Sequence, residues 1–436
     1  MKRRLIMCAA AVISGLLFAG TIYSQQVKID AQIRTRSEIQ RNKNQFNSVL
    51  FNNALSANSF SLLRSRVGFQ FTGSDETVSG YLQFQDARTF GEELNIKDSS
   101  ADALDLHQGY IKYNFEKETY LQIGRMELSF ANGRFVGKSN WGNTGQAFDG
   151  ILFKHATGRY EFSGFSATIT EQSPYSNFDP DEYFSGIYAA YKNEERRKIH
   201  SFIFNNVNYD KLLSGPSENH KKLNRITTGF DYTENSNQFS YEIEGAYQFG
   251  YQALSSSYSS PRGDIRAYLL GLRATYSFPA IEKKPYINAG LDILSGDDNP
   301  ADRKLTAVNL LYPDTHDFYG NMDYFTQFPA ATFSRGLKDV FVGIGLSDIR
   351  SPLFKQKDYK GELTIYWHYF VTDKKDVKGN CYAGNEIDVN KTLSLDLLNV
   401  QYGFAFFFPG DIPKELPNNS KPGVWAYLML TYNFKN

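Results

Sequence analysis

Apolar and polar side chains alternate at every second position, in segments of about nine to twelve residues separated by turn-rich stretches. That pattern restricts the chain to strands with one greasy and one wet face. The clearest segment runs from Phe239 to Phe249. Phe239, Tyr241, Ile243, Tyr247 and Phe249 share one face, and Ser240, Glu242, Glu244 and Gln248 share the other. Val27, Ile29, Ala31 and Ile33 oppose Lys28, Asp30, Gln32 and Arg34 in the same way. Leu63, Val67, Phe69 and Phe71 oppose Arg64, Arg66 and Gln70. Leu363, Ile365, Trp367 and Tyr369 oppose Glu362, Thr364, Tyr366 and His368.

A soluble β-sandwich also alternates, but two features point away from it. Aromatics recur near segment ends, as Tyr110 with Tyr113, Tyr247 with Phe249, Tyr276 with Phe278, and Tyr366, Trp367 and Tyr369. A lipid-facing barrel places its interfacial girdles there. The polar faces also carry long charged side chains on strand after strand, which suits a water-filled lumen. Aromatics make up 15% of the 436 residues, with 29 Tyr and 35 Phe, which excludes disorder. Formal net charge is zero, so nothing favours nucleic acid as a partner. Beyond the N-terminus no apolar run approaches the roughly 18 residues that a membrane helix needs. The expected fold is all-β: a single antiparallel transmembrane β-barrel of about 18 strands.

Met1 to Arg4 is basic and Leu5 to Phe18 is apolar, the layout of a secretory signal peptide. The reading is a signal peptide over 1–24 and a barrel over 25–436. Cys381 is then the sole remaining cysteine, so no intramolecular disulfide is expected. The last segment places Val424, Ala426, Leu428, Leu430, Tyr432 and Phe434 on one face and ends almost on that final aromatic. Such an ending resembles the signal by which outer-membrane barrels are recognised for insertion. The expected address is the Gram-negative outer membrane, with its lipids and the barrel insertion machinery as partners. Short polar stretches at 73–76 and 116–118 suit periplasmic turns. Longer ones at 41–59, 86–102 and 297–331 suit extracellular loops or segments folded into the pore.

Arginines are the main chemical asset. Arg34 and Arg36 share a face, as do Arg64 and Arg66, while Arg88, Arg125 and Arg134 lie on or beside expected strands. Planar, permanently charged guanidinium matches carboxylate and phosphate, and a ladder of such groups in a narrow pore replaces part of an anion's hydration shell. Arg34, Arg64, Arg66, Arg88, Arg125 and Arg134 form the candidate constriction, with Glu127 and Asp149 holding them in place. The competing reading has the arginines brace the wall against Glu92, Glu93, Glu127, Glu242, Glu244 and Asp231. Strict alternation from Leu121 and Ile123 also directs Arg125 and Glu127 into lipid, so a bulge near Gly124, or a strand end at Arg125, is expected.

Other chemistries find little support. Asp297, Asp298, Asn299 and Asp302 cluster oxygen ligands but lack the spacing of a calcium loop, so a solvated loop is expected. The six histidines form no H-E-x-x-H, and neither G-x-S-x-G nor a P-loop occurs. His107, near Asp105 and Ser99, is the nearest approach to a barrel hydrolase. No cofactor, no metal and no catalysis are expected.

Three stretches resemble the alginate export family of outer-membrane barrels. One runs Gly124-Arg125-Met126-Glu127-Leu128-Ser129-Phe130 through Gly133-Arg134-Phe135-Val136-Gly137 and Trp141 to Phe148-Asp149-Gly150. The second runs Ser295-Gly296-Asp297-Asp298 through Leu311-Tyr312-Pro313, His316 and Tyr319-Gly320 to Met322-Asp323. The third is Gly384-Asn385-Glu386-Ile387-Asp388, followed by Tyr402-Gly403 and Phe407-Phe408-Pro409-Gly410. The resemblance implies a single-chain barrel passing a polyanion or smaller anionic solutes through an Arg-lined constriction. Gln146 departs from it, since that position in the family often carries arginine. The expected function is a channel for anionic or saccharide solutes by passive diffusion. The alternative is a structural or adhesive barrel with a plugged lumen and loop-based function.

Overall fold

The computed structural model describes residues 26–42, 58–92, 104–171, 181–193, 196–209, 221–254, 262–299, 302–349, 360–412 and 421–435. The segment read as a signal peptide, the tips of several long loops, Glu93 and Ser99 lie outside them. The first nine strands are β1 (Gln26–Arg41), β2 (Asn58–Thr72), β3 (Val78–Thr89), β4 (Leu104–Glu116), β5 (Thr119–Met126), β6 (Phe148–Thr157), β7 (Tyr160–Thr170), β8 (Asp181–Asn193) and β9 (Arg197–Tyr209). They are followed by β10 (Lys221–Asn235), β11 (Phe239–Ala253), β12 (Arg262–Ser277), β13 (Pro285–Leu294), the two-residue β14 (Lys304–Leu305) and β15 (Leu337–Leu346). The last four are β16 (Lys360–Val371), β17 (Tyr382–Leu395), β18 (Leu398–Pro409) and β19 (Gly423–Lys435).

Apart from β14, these strands form an 18-strand closed antiparallel barrel in which sequence neighbours pair. Closure is made by β1 against β19, in register from Asp30↔Lys435 to Arg41↔Val424. A closed sheet leaves no unpaired backbone edge, a condition that hydrocarbon imposes on any strand that crosses it.

The period-two pattern maps onto the two faces of this wall. At the centre of β8, Ile187 points outward and is 66% exposed, whereas Phe184 points inward and is fully buried. On β19 Leu428 is 48% exposed and Trp425 is 0% exposed. Outward aromatics gather near both rims, Tyr113, Phe115, Tyr160 and Tyr276 at the short-turn end and Tyr247, Phe249, Trp367 and Tyr369 at the long-loop end. Two residues expected in the girdles do not belong to them. Tyr110 packs against the interior core and Tyr366 lines an interior cavity, because each sits one residue out of phase with its outward neighbours Ile111 and Trp367.

The barrel core is its lumen. The segment 127–147 between β5 and β6, and the residues 306–333 between β14 and β15, fold inward and interlock. Val136 and Tyr312 form a parallel bridge; Gly137 N donates to Tyr312 O at 2.9 Å, and Tyr312 N donates to Phe135 O at 3.0 Å. The wall adapts to this plug. Expectation placed charge on the inner face strand after strand, but β7, β8 and β9 present Phe165, Phe184, Phe202 and Phe204 there, packed around Phe130. These positions face a folded loop rather than water, so burial of apolar area stabilises them. All three stretches that carry the family resemblance meet at the plug.

Candidate functional site: a loop-filled lumen with a basic and an acidic wall

Along β1 and β2 the inward positions are Arg34, Arg36, Arg64 and Arg66, each no more than 6% exposed. Direct pairing of Arg34 with Arg64, and of Gln32 with Arg66, stacks them into one patch. Like charges directly opposite across a sheet repel, so the patch needs acceptors. The 138–144 segment supplies them as backbone carbonyls. Arg34 donates to Asn140 O at 2.5 Å and to Gly142 O at 2.7 Å, and Arg64 donates to the same two oxygens at 3.1 and 3.2 Å. Arg36 donates to Trp141 O at 2.5 Å and Arg66 to Thr144 O at 3.1 Å. Carboxylates take only part of the charge, with Glu38 on Arg36 at 2.8 Å and Glu127 on Arg66 at 3.4 Å.

Glu127 therefore holds a predicted arginine, and it also meets His107 Nε2 at 3.0 Å and Lys138 Nζ at 3.2 Å. It turns inward because β5 ends at Met126, so the strand's alternation no longer applies to it and no bulge at Gly124 is needed. The pairing of β5 with β4 and with β6 runs through Gly124 without a shift. The shift lies between Gln83 and Phe84 in the β3–β4 pairing, which makes His107 the extra residue and turns both His107 and Gln108 inward. Gln108 Oε1 then accepts from Glu127 N at 3.2 Å. Gly124 instead permits a close approach of two strands, since at its φ of +132° a Cβ would sit 2.3 Å from Gly109 O. His107 faces this lumenal carboxylate rather than an outer-wall serine.

Three predicted arginines lie elsewhere. Arg125 and Asp149 are directly paired at the long-loop end of β5 and β6, on the outward face, 2.7 Å apart. Arg88 shares the outward parity of Phe84 and bonds Asp86 two residues away. Strand ends at the rim let such pairs reach the interface, so no bulge was required to keep them out of hydrocarbon. Arg134 is inside but wholly buried, enclosed by Glu244 at 2.8 Å, Asp292 at 3.0 Å, the Tyr319 hydroxyl at 2.6 Å and the Phe318 ring at 4.1 Å. Burial alone would lower its pKa, but Asp292 and Glu244 raise it well above the usual value, so the guanidinium stays charged. It fastens the tip of the 127–147 segment to β11 and β13.

Sequence reasoning missed an acidic stretch of the wall. Asp292, Asp339, Glu386 and Asp388 on β13, β15 and β17 are each at most 1% exposed. His368 on β16 bridges two of them, with Nδ1 2.9 Å from Asp339 and Nε2 3.7 Å from Asp388. The second inward segment docks here: Met322 N donates to Glu386 at 2.7 Å and Asn321 N to Asp388 at 3.3 Å. Gly320, at φ +83°, passes so close that a Cβ would lie 2.7 Å from the Glu386 carboxyl. Beside it, burial and the nearby Asp323 carboxylate hold the Asp317 carboxyl above the ordinary carboxylate range, with His316 opposing. The alternating carboxylates were visible in the sequence, but their convergence from three strands was not. Gln146, where arginine was expected, is a staple: Nε2 donates to Gly137 O and to Tyr312 O, joining the two inward segments. Asp297, in the segment read as a solvated loop, accepts from the backbone N–H groups of Asn299 and Thr306.

Space remains on both sides of the plug. A cavity of about 470 Å³ opens between the acidic wall and segment 316–321, lined by Arg273, Asp292, Asp317, Asp339, Tyr366 and His368 among others. A second of about 340 Å³ lies toward the long-loop end, lined by Glu182, Asn206, Lys222, Arg225 and Tyr312.

A closed strand barrel with a lipid-compatible exterior and a polar lumen constricted by its own loops is an outer-membrane channel. The alginate export profile matches residues 25–328, and the chain belongs to the alginate export family. Solved structures share the fold. OccAB4 of Acinetobacter baumannii superposes with a TM-score of 0.55 at 12% identity, covering 95% of this chain and 99% of that one. OccK8 (OprE) of Pseudomonas aeruginosa gives 0.56 at 11% identity over 94% and 98% of the two chains. OccAB3 of A. baumannii gives 0.56 at 11% identity over 94% and 100%. No curated protein is significantly similar in sequence.

Proposed function

We propose that this channel passes anionic solutes, acidic saccharides among them, by passive diffusion along the arginine patch of β1 and β2. The reading rests on one observation. Four inward guanidiniums share only two carboxylate partners among the described residues, Glu38 and Glu127, and the rest of their bonding is to neutral carbonyl and amide oxygens. Such acceptors leave an excess of positive charge in a narrow, partly dehydrated passage, where an anion exchanges water for guanidinium donors and is released again at each step. Arg34, Arg64 and Arg66 are the residues of the passage, Glu127 positions Arg66, and Arg134 braces the plug. Arg88, Arg125 and Asp149 act at the outer rim.

The filled lumen favours a second reading, a barrel closed by its own loops. Reversal potential in a planar bilayer under a salt gradient separates the two. The channel reading expects steady current with anion preference in the wild type, and a shift toward cation preference in Arg34→Ala/Arg64→Ala. Current indistinguishable from bare lipid supports the closed barrel, and unchanged selectivity in the double variant removes the arginine assignment.

A further inference from the structure

Two ladders of rings run along the inner wall and end in the cavity on the short-turn side of the plug. On β16, Phe370 stacks on His368 with centroids 5.5 Å apart, and Tyr366 follows 6.2 Å beyond. On β19, Trp425 stacks on Tyr427 at 4.8 Å. The terminal rings, Tyr366 and Tyr427, line the cavity of about 470 Å³, and each lies across a glycine directly opposite on the neighbouring strand. A Cβ on Gly343 would meet the Tyr366 ring at 2.5 Å, and one on Gly403 the Tyr427 ring at 2.6 Å. The same pairing occurs at Gly186 with Phe204 and at Gly229 with Phe202, where the plug covers the rings to 1% and 5% exposure. Tyr366 and Tyr427 instead stay half-buried beside open space.

Uncommitted and mostly neutral polar groups surround the rings. Thr392 and Gln401 are directly paired across β17 and β18, close to the turn that joins these strands. Neither side chain has a hydrogen-bond partner among the described residues, and the same holds for the Asn321 amide, the Tyr366 hydroxyl and the Asp317 carboxylate. Free amides and hydroxyls beside aromatic rings, in a cavity within the range of about 300–1,000 Å³ typical of small-ligand sites, suit a polyol. The C–H face of a sugar packs on a ring while its hydroxyls exchange water for both donors and acceptors. We infer that this cavity binds an uncharged saccharide chain, with Tyr366 and Tyr427 as its stacking surfaces and Asn321, Thr392 and Gln401 as its hydroxyl partners.

The charged lining selects against other ligand classes. Asp292 is held by Arg134 and Arg273, and Asp339 and Asp388 both pair with His368. Arg273 in turn lies 5.1 Å from the Phe318 ring centroid and 6.0 Å from that of Phe341. An organic cation entering the cavity finds those two rings already facing a guanidinium, and Asp317 as the one lining carboxylate without a partner among the described residues. A carboxylated sugar meets Asp292, Asp317, Asp339 and Asp388 against at most three basic groups, Arg273, His316 and His368. An uncharged sugar meets neither obstacle. This site goes beyond the anion passage along β1 and β2 and does not rest on it.

The test uses the full chain refolded in a detergent without sugar head groups. Saturation-transfer NMR with maltopentaose, cellopentaose and mannopentaose reads binding without requiring current through the barrel. Saturation is expected to pass from the protein to the ring protons of at least one of the three. Affinity is expected to fall about fivefold in Tyr366→Leu and in Thr392→Val/Gln401→Leu. Heat-dependent gel mobility reports that each variant has folded. Binding is expected to persist in Arg34→Ala/Arg64→Ala, and its loss there overturns the assignment by moving the sugar to the arginine patch. Wild type that transfers saturation to none of the three sugars overturns it, as does unaltered affinity in either folded pocket variant. Tighter binding of pentagalacturonate or of spermidine than of every neutral sugar also overturns it, by giving the cavity to an anion or a cation.

Discussion

Arg36 and Trp141 lock the wall to the plug: the guanidinium of the β1 residue lies 4.4 Å from the indole centroid and also donates to the Trp141 carbonyl oxygen at 2.5 Å. The opposite face of the indole stacks on His316 at 3.6 Å with a 4° tilt, and Trp425 donates from its indole N–H to Glu38, which itself pairs with Arg36. One aromatic ring thus lies between the basic patch and the second inward segment.

Replacing that ring frees segment 138–144. Trp141→Ala keeps the backbone carbonyl but removes the cation–π contact, worth about 0.5–2 kcal/mol, and the packing between the two inward segments. Single-channel recordings are expected to show larger conductance and more open-state noise than wild type, with the barrel still resistant to unfolding. Unaltered conductance would mean that the segment does not limit the path.

Arg134→Met removes a cation that touches both Glu244 and Asp292 inside the plug. Asp292 keeps Arg273, but leaving the buried Glu244 without its cation costs about 3–5 kcal/mol, far more than deleting an exposed pair. The expected result is a marked fall in the urea midpoint, read by heat-dependent gel mobility, and partial recovery in Arg134→Met/Glu244→Gln. Full stability in the single variant would show that the enclosure contributes nothing.

The outer wall offers a contrast by depth. Ile187→Arg puts charge on the outward face at the middle of β8 and is expected to cost about 2–4 kcal/mol of folding free energy in lipid. Arg125→Ala/Asp149→Ala removes an exposed rim pair and is expected to cost less than about 1 kcal/mol. Equal costs in a lipid-vesicle unfolding titration would contradict the placement of these residues relative to the bilayer.

Much of this was legible before any fold was known. Alternation at Val27–Thr35, Phe239–Phe249 and Val424–Phe434 foretold which side chains meet lipid, because a strand turns every second residue the same way whatever surrounds it. The same rule placed Arg34, Arg64 and Arg66 together on the inner face. It could not say what the inner face would touch. Arg134 reads like its neighbours in sequence, yet it lies in a loop, where no periodicity operates, and its partners Glu244 and Asp292 come from strands more than a hundred residues later.

By itself, then, the sequence determined a closed wall with a greasy outside, a polar inside and rims of aromatic residues, since these follow from local periodicity and the demands of hydrocarbon. Tertiary structure alone decided that two long connections fold inward, that Gln146 and the Val136–Tyr312 bridge join them, and that one docks on a basic and the other on an acidic stretch of the wall. The physical reason is range. Alternation is written into neighbouring residues, whereas the filling of the lumen depends on contacts between segments that only barrel closure brings together.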